Sequence, residues 1–305
     1  MQHQIAAPVD TRQTVEDAFQ RILRATLASV KEWEPTAIAG EDPEGVHQVR
    51  VGLRRMRSAL GVFRPAIPPE ATRPLAKDMR WAAKTLDHAR DLDVYIEENL
   101  SSGKKKGKTG MRKLAIKERE VAYGSVRGLL RGKRFTKFTH EFSQWLDARA
   151  WRSVVSEPHR ARLQQEIRPF ASWVLEQHRT QVLQYGKDVS RLDSEQLHKL
   201  RIDCKKLRYA TEFFSPLYGK QIDGFNNDLK ALQELLGTLH DTVVMTGLQR
   251  ELLRGHRDAK LQRQCDRLKK RRWKQAEEVR RELLHRWQAF SEADRPWVTD
   301  SPVLH

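Results

Sequence analysis

Only two of the 305 residues are cysteine, Cys204 and Cys265, and nothing in their spacing suits a metal. That excludes a disulfide framework and fits a reducing compartment. No apolar run approaches the roughly 18 residues that a membrane span needs. The first residues, MQHQIAAPVD, have neither the basic nor the apolar region of a signal peptide. The expectation is a soluble cytoplasmic protein with no membrane partner. Alternating β-branched segments are nearly absent, so strands are not expected. Acidic residues are few for the basic ones, 40 against 57, and the formal net charge is +17. Such a chain sits in the field of something acidic: nucleic acid, an anionic surface or a polymeric phosphate. A P-loop is missing as well, because Gly103-Lys-Lys-Lys-Gly-Lys-Thr109 has three residues between its glycines where the motif needs four.

What is present is helical. Leu, Ala, Arg, Lys, Glu and Gln fill long stretches, and apolar residues recur at helical spacing, as in Phe19, Ile22, Leu23, Leu27 and Val30. With 39% hydrophobic residues there is material for a core. Breaks are expected at Pro35–Gly45, Pro65–Pro69, Ser101–Gly110, Ser156–Pro158, Val189–Ser194 and Ser215–Gly224. Asp193 or Ser194 is the candidate N-cap of the helix that follows it, and Gly45 is expected to end the loop before an equivalent helix. The lysine-rich stretch from Ser101 to Gly110 reads as a mobile basic loop, and the tail from about Ser291 is expected to fray.

An internal repeat organises the chain. Val46-His-Gln-Val-Arg-Val-Gly-Leu-Arg-Arg-Met-Arg57 aligns without a gap on Leu197-His-Lys-Leu-Arg-Ile-Asp-Cys-Lys-Lys-Leu-Arg208, at an offset of 151. Phe63 matches Phe214, and further on Leu75–Val94 resembles Phe225–Val244, with Asp91 against Asp241. The expectation is an all-α protein of two helical bundles from an internal duplication, packed with pseudo-two-fold symmetry. The halves would be residues 11–155 and 156–290, followed by a tail of 291–305.

On a helix, His47, Arg50, Arg54 and Arg57 fall within an arc of about 80° and span about 15 Å. Val49, Leu53, Met56 and Leu60 occupy the adjoining arc, and positions 46–60 contain no acid. The construction recurs at His198, Arg201, Lys205 and Arg208. Like charges along one face cost stability unless an anion neutralises them, and forked Arg donors match phosphate oxygens. The bland alternative is a solvated face, or salt bridges to other helices. A second basic face holds Lys77, Arg80, Lys84 and His88. The acids Asp91 and Asp93, and the pair His240-Asp241, suggest metal chemistry only weakly; orienting a nearby Arg or Lys is the better reading. Trp273 and Trp287, 14 residues apart, read as core. The basic segment Arg254–Arg286 also carries acids and is either a solvated helix or an auxiliary anion contact.

The duplicated His-x-x-Arg-x-x-x-Arg/Lys-Arg/Lys-x-Arg helix, followed by a Leu-x-x-x-Arg-Asp helix, resembles the CHAD domain, the conserved histidine α-helical domain. The resemblance runs from about Thr11 to Phe290. It implies two related helical bundles, binding of inorganic polyphosphate and association with polyphosphate granules. By position it implies His47, Arg50, Arg54, Arg55, Arg57, His198, Arg201, Lys205, Lys206 and Arg208 as ligands, with Lys77, Arg80, Arg90 and Lys230 in second rank beside Lys84. Thr238-Leu-His240-Asp241 departs from Arg90-Asp91 in the first half, which makes the site asymmetric in charge. The expected function is non-enzymatic, without metal or cofactor, in a stand-alone copy of the domain. The alternatives are a nucleic-acid-binding basic helical protein and a metal-dependent phosphoanhydride hydrolase. The basic helices offer few side chains for reading or stacking bases, apart from Gln48 and Tyr209.

Overall fold

Four helices begin where a short polar side chain accepts from an orphan backbone amide. The computed structural model describes residues 9–100, 110–255 and 258–298. In chain order the helices are α1 (Val15–Ala39), α2 (Pro43–Val62), α3 (Pro69–Leu100), α4 (Gly110–Leu130), α5 (Lys133–Asp147), α6 (Glu157–Gln164), α7 (Ile167–Tyr185), α8 (Ser194–Phe214), α9 (Asp223–Leu252) and α10 (Ala259–Glu292). Thr14, Asp42 and Asp258 accept backbone N–H groups at the starts of α1, α2 and α10. Asp193 and Gln196 form a reciprocal capping box at α8, as expected for Asp193. Such caps contribute about 1 kcal/mol each. Among the described residues there is no strand, only an isolated antiparallel bridge between Thr14 and Glu166. The lysine-rich loop at 101–109 lies outside the described residues.

Three local expectations are corrected. Pro35 does not break the chain: α1 runs through it to Ala39 and stops at Gly40, whose φ is 74°. Pro35 and Lys31 are exposed, so the carbonyl freed by the missing N–H can face water. Gly45 is not a loop residue but sits inside α2. A Cβ there would stand 2.5 Å from the Ala37 amide nitrogen, so glycine is what lets α1 and α2 cross closely. The chain after Ser291 is held at least to residue 298. Trp297 is buried, its ring lies 4.7 Å from that of Phe225, and its Nε1 donates to Glu176 at 2.9 Å.

The buried side chains form one connected cluster that draws on every long helix. A run of aromatic rings carries it across the chain's midpoint. Trp151 packs on Phe19 at 5.2 Å, Phe19 on Phe63 at 5.3 Å, and Phe63 on both Phe170 and Phe214 at 5.5 and 5.8 Å. Neighbouring helices pack in the same order in both parts: α1 on α2, α2 on α3, α3 on α4, then α7 on α8, α8 on α9, α9 on α10. The bridge at Thr14 is reciprocal: Val15 N donates to Gln165 O at 2.9 Å, and Ile167 N to Gln13 O at 3.0 Å. Beside it, buried Glu16 accepts from Trp151 Nε1, Arg149 and Arg152, and this clamp holds Arg149 at a left-handed φ of 47°.

Candidate anion-binding seam

α2 and α8 pack against each other with α3 and α9 alongside, so the two basic stripes face a common seam. The stripe is possible because Val46, Val49, Leu53 and Met56 on α2, and Leu197, Leu200, Cys204 and Leu207 on α8, are buried on the adjoining arc. That burial fixes each helix's rotation and leaves His47, Arg50, Arg54, His198, Arg201 and Lys205 half-buried along the seam. Arg50 Nε donates to Asp87 of α3. Among the described residues, Arg54, Arg201 and Lys205 form no ion pair, although Arg50, Arg55 and Arg208 beside them do.

The electrostatic consequence is strong. Burial pushes the Lys205 amine down to about 7, helped by the charges of Arg201, Arg54 and Arg50, while Asp241 opposes the shift. Burial also lowers Arg54 and Arg201; Arg50 adds to both shifts, Asp87 opposes the one at Arg54, and Asp241 opposes the one at Arg201. Among the described residues, the buried nitrogens His47 Nδ1 and Arg201 Nε have no hydrogen-bond partner. Across the seam floor, burial raises the carboxyls of Asp91 and Asp241 above the usual range, and Asp87 and Asp241 add to the rise at Asp91. The local acids are thereby poorer counter-ions than their number suggests.

The histidines sit at the outer ends. His198 and His240 share a hydrogen bond, Nδ1 to Nδ1 at 3.0 Å, so one ring donates and the other accepts. Burial and then Arg201 push both down, His240 to about 4. His47 is lowered by burial and then by Arg90. Each stripe histidine thus faces the residue before the matched aspartate on the next helix: Arg90 for His47, His240 for His198. His240 in this role, and Asp87 as the partner of Arg50, were not legible beforehand, since each contact spans about forty residues of sequence.

Not all expected ligands gather. Arg55 is turned away from the stripe and its Nη2 donates to Glu212 of α8 at 2.9 Å. Lys206 pairs with Asp203 at 2.7 Å, on the side where its charge reaches His178 of α7. At 100° per residue each lies about 100° from its neighbour in the stripe. Arg208 pairs with Glu212 at 3.4 Å. Arg57 is exposed and close enough to Arg80 to be lowered by it, after burial. Lys77, Arg80 and Lys84 are exposed on α3, Arg90 is half-buried, and exposed Lys230 stands 4.0 Å from Glu234. Asp93, weighed as a metal ligand, instead accepts from Arg119 Nε at 2.6 Å and Tyr123 Oη at 2.8 Å. Among the described residues no three His, Cys, Asp or Glu side chains gather as a metal site. On α10, Arg272 pairs with Glu98 and Arg286 with Glu282, so part of the basic segment is internally neutralised. No helix among the described residues is long and apolar enough to cross a membrane.

The family model of the CHAD domain matches residues 21–250. The structure is similar to that of the CHAD domain from the plant Ricinus communis, with 25% identity and a TM-score of 0.81 over 96% of this chain and 97% of that one. It shares its fold with PptA from Streptomyces chartreusis, at 16% identity and a TM-score of 0.63, over 90% of this chain and 100% of that one. No curated protein matches the chain in sequence.

Proposed function

The chain belongs to the CHAD domain family, and on that premise we propose that it binds inorganic polyphosphate, without altering it, along the α2–α8 seam. The observation that carries this reading is the set Arg54, Arg201 and Lys205. Three half-buried basic side chains stand together without ion pairs among the described residues, beside the buried nitrogens of His47 and Arg201 that find no partner there. Burying such charges is unfavourable unless something supplies negative charge. A linear phosphate polymer supplies it at every monomer and needs no base-specific contacts. His47, Arg50, Arg54, Arg201 and Lys205 are the central ligands in this reading. Arg57 of α2 and Arg80 and Lys84 of α3 extend the track, and Arg55 and Lys206 act through packing instead. The expected location is the cytoplasm, at polyphosphate granules.

The same reading includes the duplication. A two-fold axis brings equivalent residues face to face, and several pairs matched in the sequence do meet. Phe63 packs on Phe214, Arg50 acts on Arg201, and Asp241 acts on Asp91. The N-cap positions of α1 and α7, Thr14 and Glu166, also meet, in the reciprocal bridge. We place the halves at 11–155 and 156–290, with 291–305 as a tail; α5 then falls in the first half and α6 in the second.

Binding should release counterions, so its affinity should fall linearly with salt on logarithmic axes, with a steep slope. The test is a salt titration against long-chain polyphosphate, with duplex DNA and single-stranded RNA as competitors. Polyphosphate is expected to hold at salt where both nucleic acids have dissociated. Equal competition would point to a generic basic surface. The double variant Arg54→Gln, Arg201→Gln is expected to lose binding at least tenfold while keeping its helicity.

A further inference from the structure

Next to the seam, α9 and α10 part to leave a cavity of about 430 Å³ that the polymer reading does not use. Leu236, Leu239 and Val243 on α9, and Trp273 and Ala276 on α10, form its apolar walls. Trp273 was expected in the core with Trp287. Instead Trp287 packs into it, against Phe290 at 5.8 Å, while Trp273 is 61% exposed at the cavity. Val243 beside it is 56% exposed. An exposed indole next to exposed aliphatic carbons is an unfavourable surface that a planar apolar group would cover. The cavity's other wall is His198 and His240, the paired imidazoles at the end of the basic stripe. Arg201 follows His198 by three residues, about 4.5 Å along the helix, and the charges of Arg201 and Lys205 both act on His198 and His240.

We propose that this cavity binds the nucleoside of a nucleoside polyphosphate, with the base stacked on Trp273 and the phosphates passing His198 and His240 onto Arg201 and Lys205. The chemistry selects this class. A purely apolar ligand would leave the histidine wall unused, and a bare phosphate chain would leave Trp273 uncovered. The volume lies within the usual range for small-ligand sites, about 300–1,000 Å³. Exposed Glu277 lines the same cavity and forms no ion pair among the described residues, so its carboxylate can accept from the ribose hydroxyls. The proposal rests on the seam as a phosphate site, and the two can fail separately.

The experiment is calorimetric titration of the full chain with ATP, tripolyphosphate and adenosine, in EDTA at fixed salt, for wild type and Trp273→Ala. Tripolyphosphate matches the anionic part of ATP and tests the seam; the difference between ATP and tripolyphosphate tests the cavity. Base stacking on an aromatic side chain contributes about 1–3 kcal/mol, so ATP is expected to bind roughly tenfold tighter than tripolyphosphate. Trp273→Ala should remove that advantage and leave tripolyphosphate unchanged, and Trp273→Phe should keep most of it. ATP and tripolyphosphate binding equally to wild type would overturn the cavity proposal and leave the seam intact. Adenosine binding as tightly as ATP would overturn the link to Arg201 and Lys205. Failure of both phosphates to bind would overturn the seam reading and this proposal with it.

Discussion

Lys205 carries its amine in a place where neighbouring charge and burial both oppose protonation. On α8 it faces Arg201; from α2 come Arg54 and Arg50; Asp241 of α9 is the acid that counters them. Its ordinary value of 10.5 falls to about 7 in the folded chain. Between those values the unfolded chain binds more protons, so this group makes the free protein more stable as pH rises from about 7 to 10.5. An anion in the seam reverses the shift and draws a proton in. Affinity for polyphosphate should therefore rise as pH falls from 9 toward 7, with net proton uptake. Lys205→Arg keeps the charge but does not titrate, and it is expected to flatten the profile across that window. Binding enthalpies in buffers of different ionisation heat would measure the uptake directly; an unchanged profile in the variant would place the proton elsewhere. The histidines contribute little there, because burial keeps His47, His198 and His240 below their ordinary 6.5.

At the scale of elements, the α1–α2 and α2–α8 contacts set where the stripes point. Gly45 places the start of α2 directly on the α1 backbone at Ala37. Gly45→Ala must push the two helices apart, since the clashing atoms are backbone, and a loss of about 1–3 kcal/mol is expected. Urea denaturation at two wavelengths would read it. Arg55 and Glu212 tie α2 to α8 behind the stripe. Arg55→Ala should reduce stability by about 1–3 kcal/mol and leave the salt slope of polyphosphate binding unchanged; Arg54→Ala should do the reverse. The expected ligand set included both because the motif pairs them by position. Helical angle separates them, as it separates Lys205 from Lys206, and that much was already legible in the residue numbers. That Glu212 and Asp203 would capture Arg55 and Lys206 was not.

For the molecule as a whole, one core joins what the sequence divides into two. Phe63, Phe170 and Phe214 close the seam from beneath, and Trp151 and Phe19 continue the same cluster into the first part. Neither part can expose its half of that ring cluster cheaply, so a single calorimetric transition is expected, with calorimetric and van't Hoff enthalpies equal. Two resolved transitions would mean that the halves have separate cores. With the proposed seam as its site, polyphosphate should raise the midpoint of that transition, because a ligand of the folded chain stabilises it by mass action.

The amino-acid sequence alone determined the helical class, the repeat at an offset of 151, the basic stripes and the Asp193 cap. These depend on local periodicity and on side chains within a few residues of one another, which a linear text records. The tertiary structure decided which cations stay unpaired, that Asp87 holds Arg50, that His198 and His240 share a hydrogen bond, and that Trp273 is exposed while Trp297 is buried. Each of these turns on what another helix brings from tens of residues away. Charge pairing and burial are properties of that distance in space, and sequence separation does not encode it.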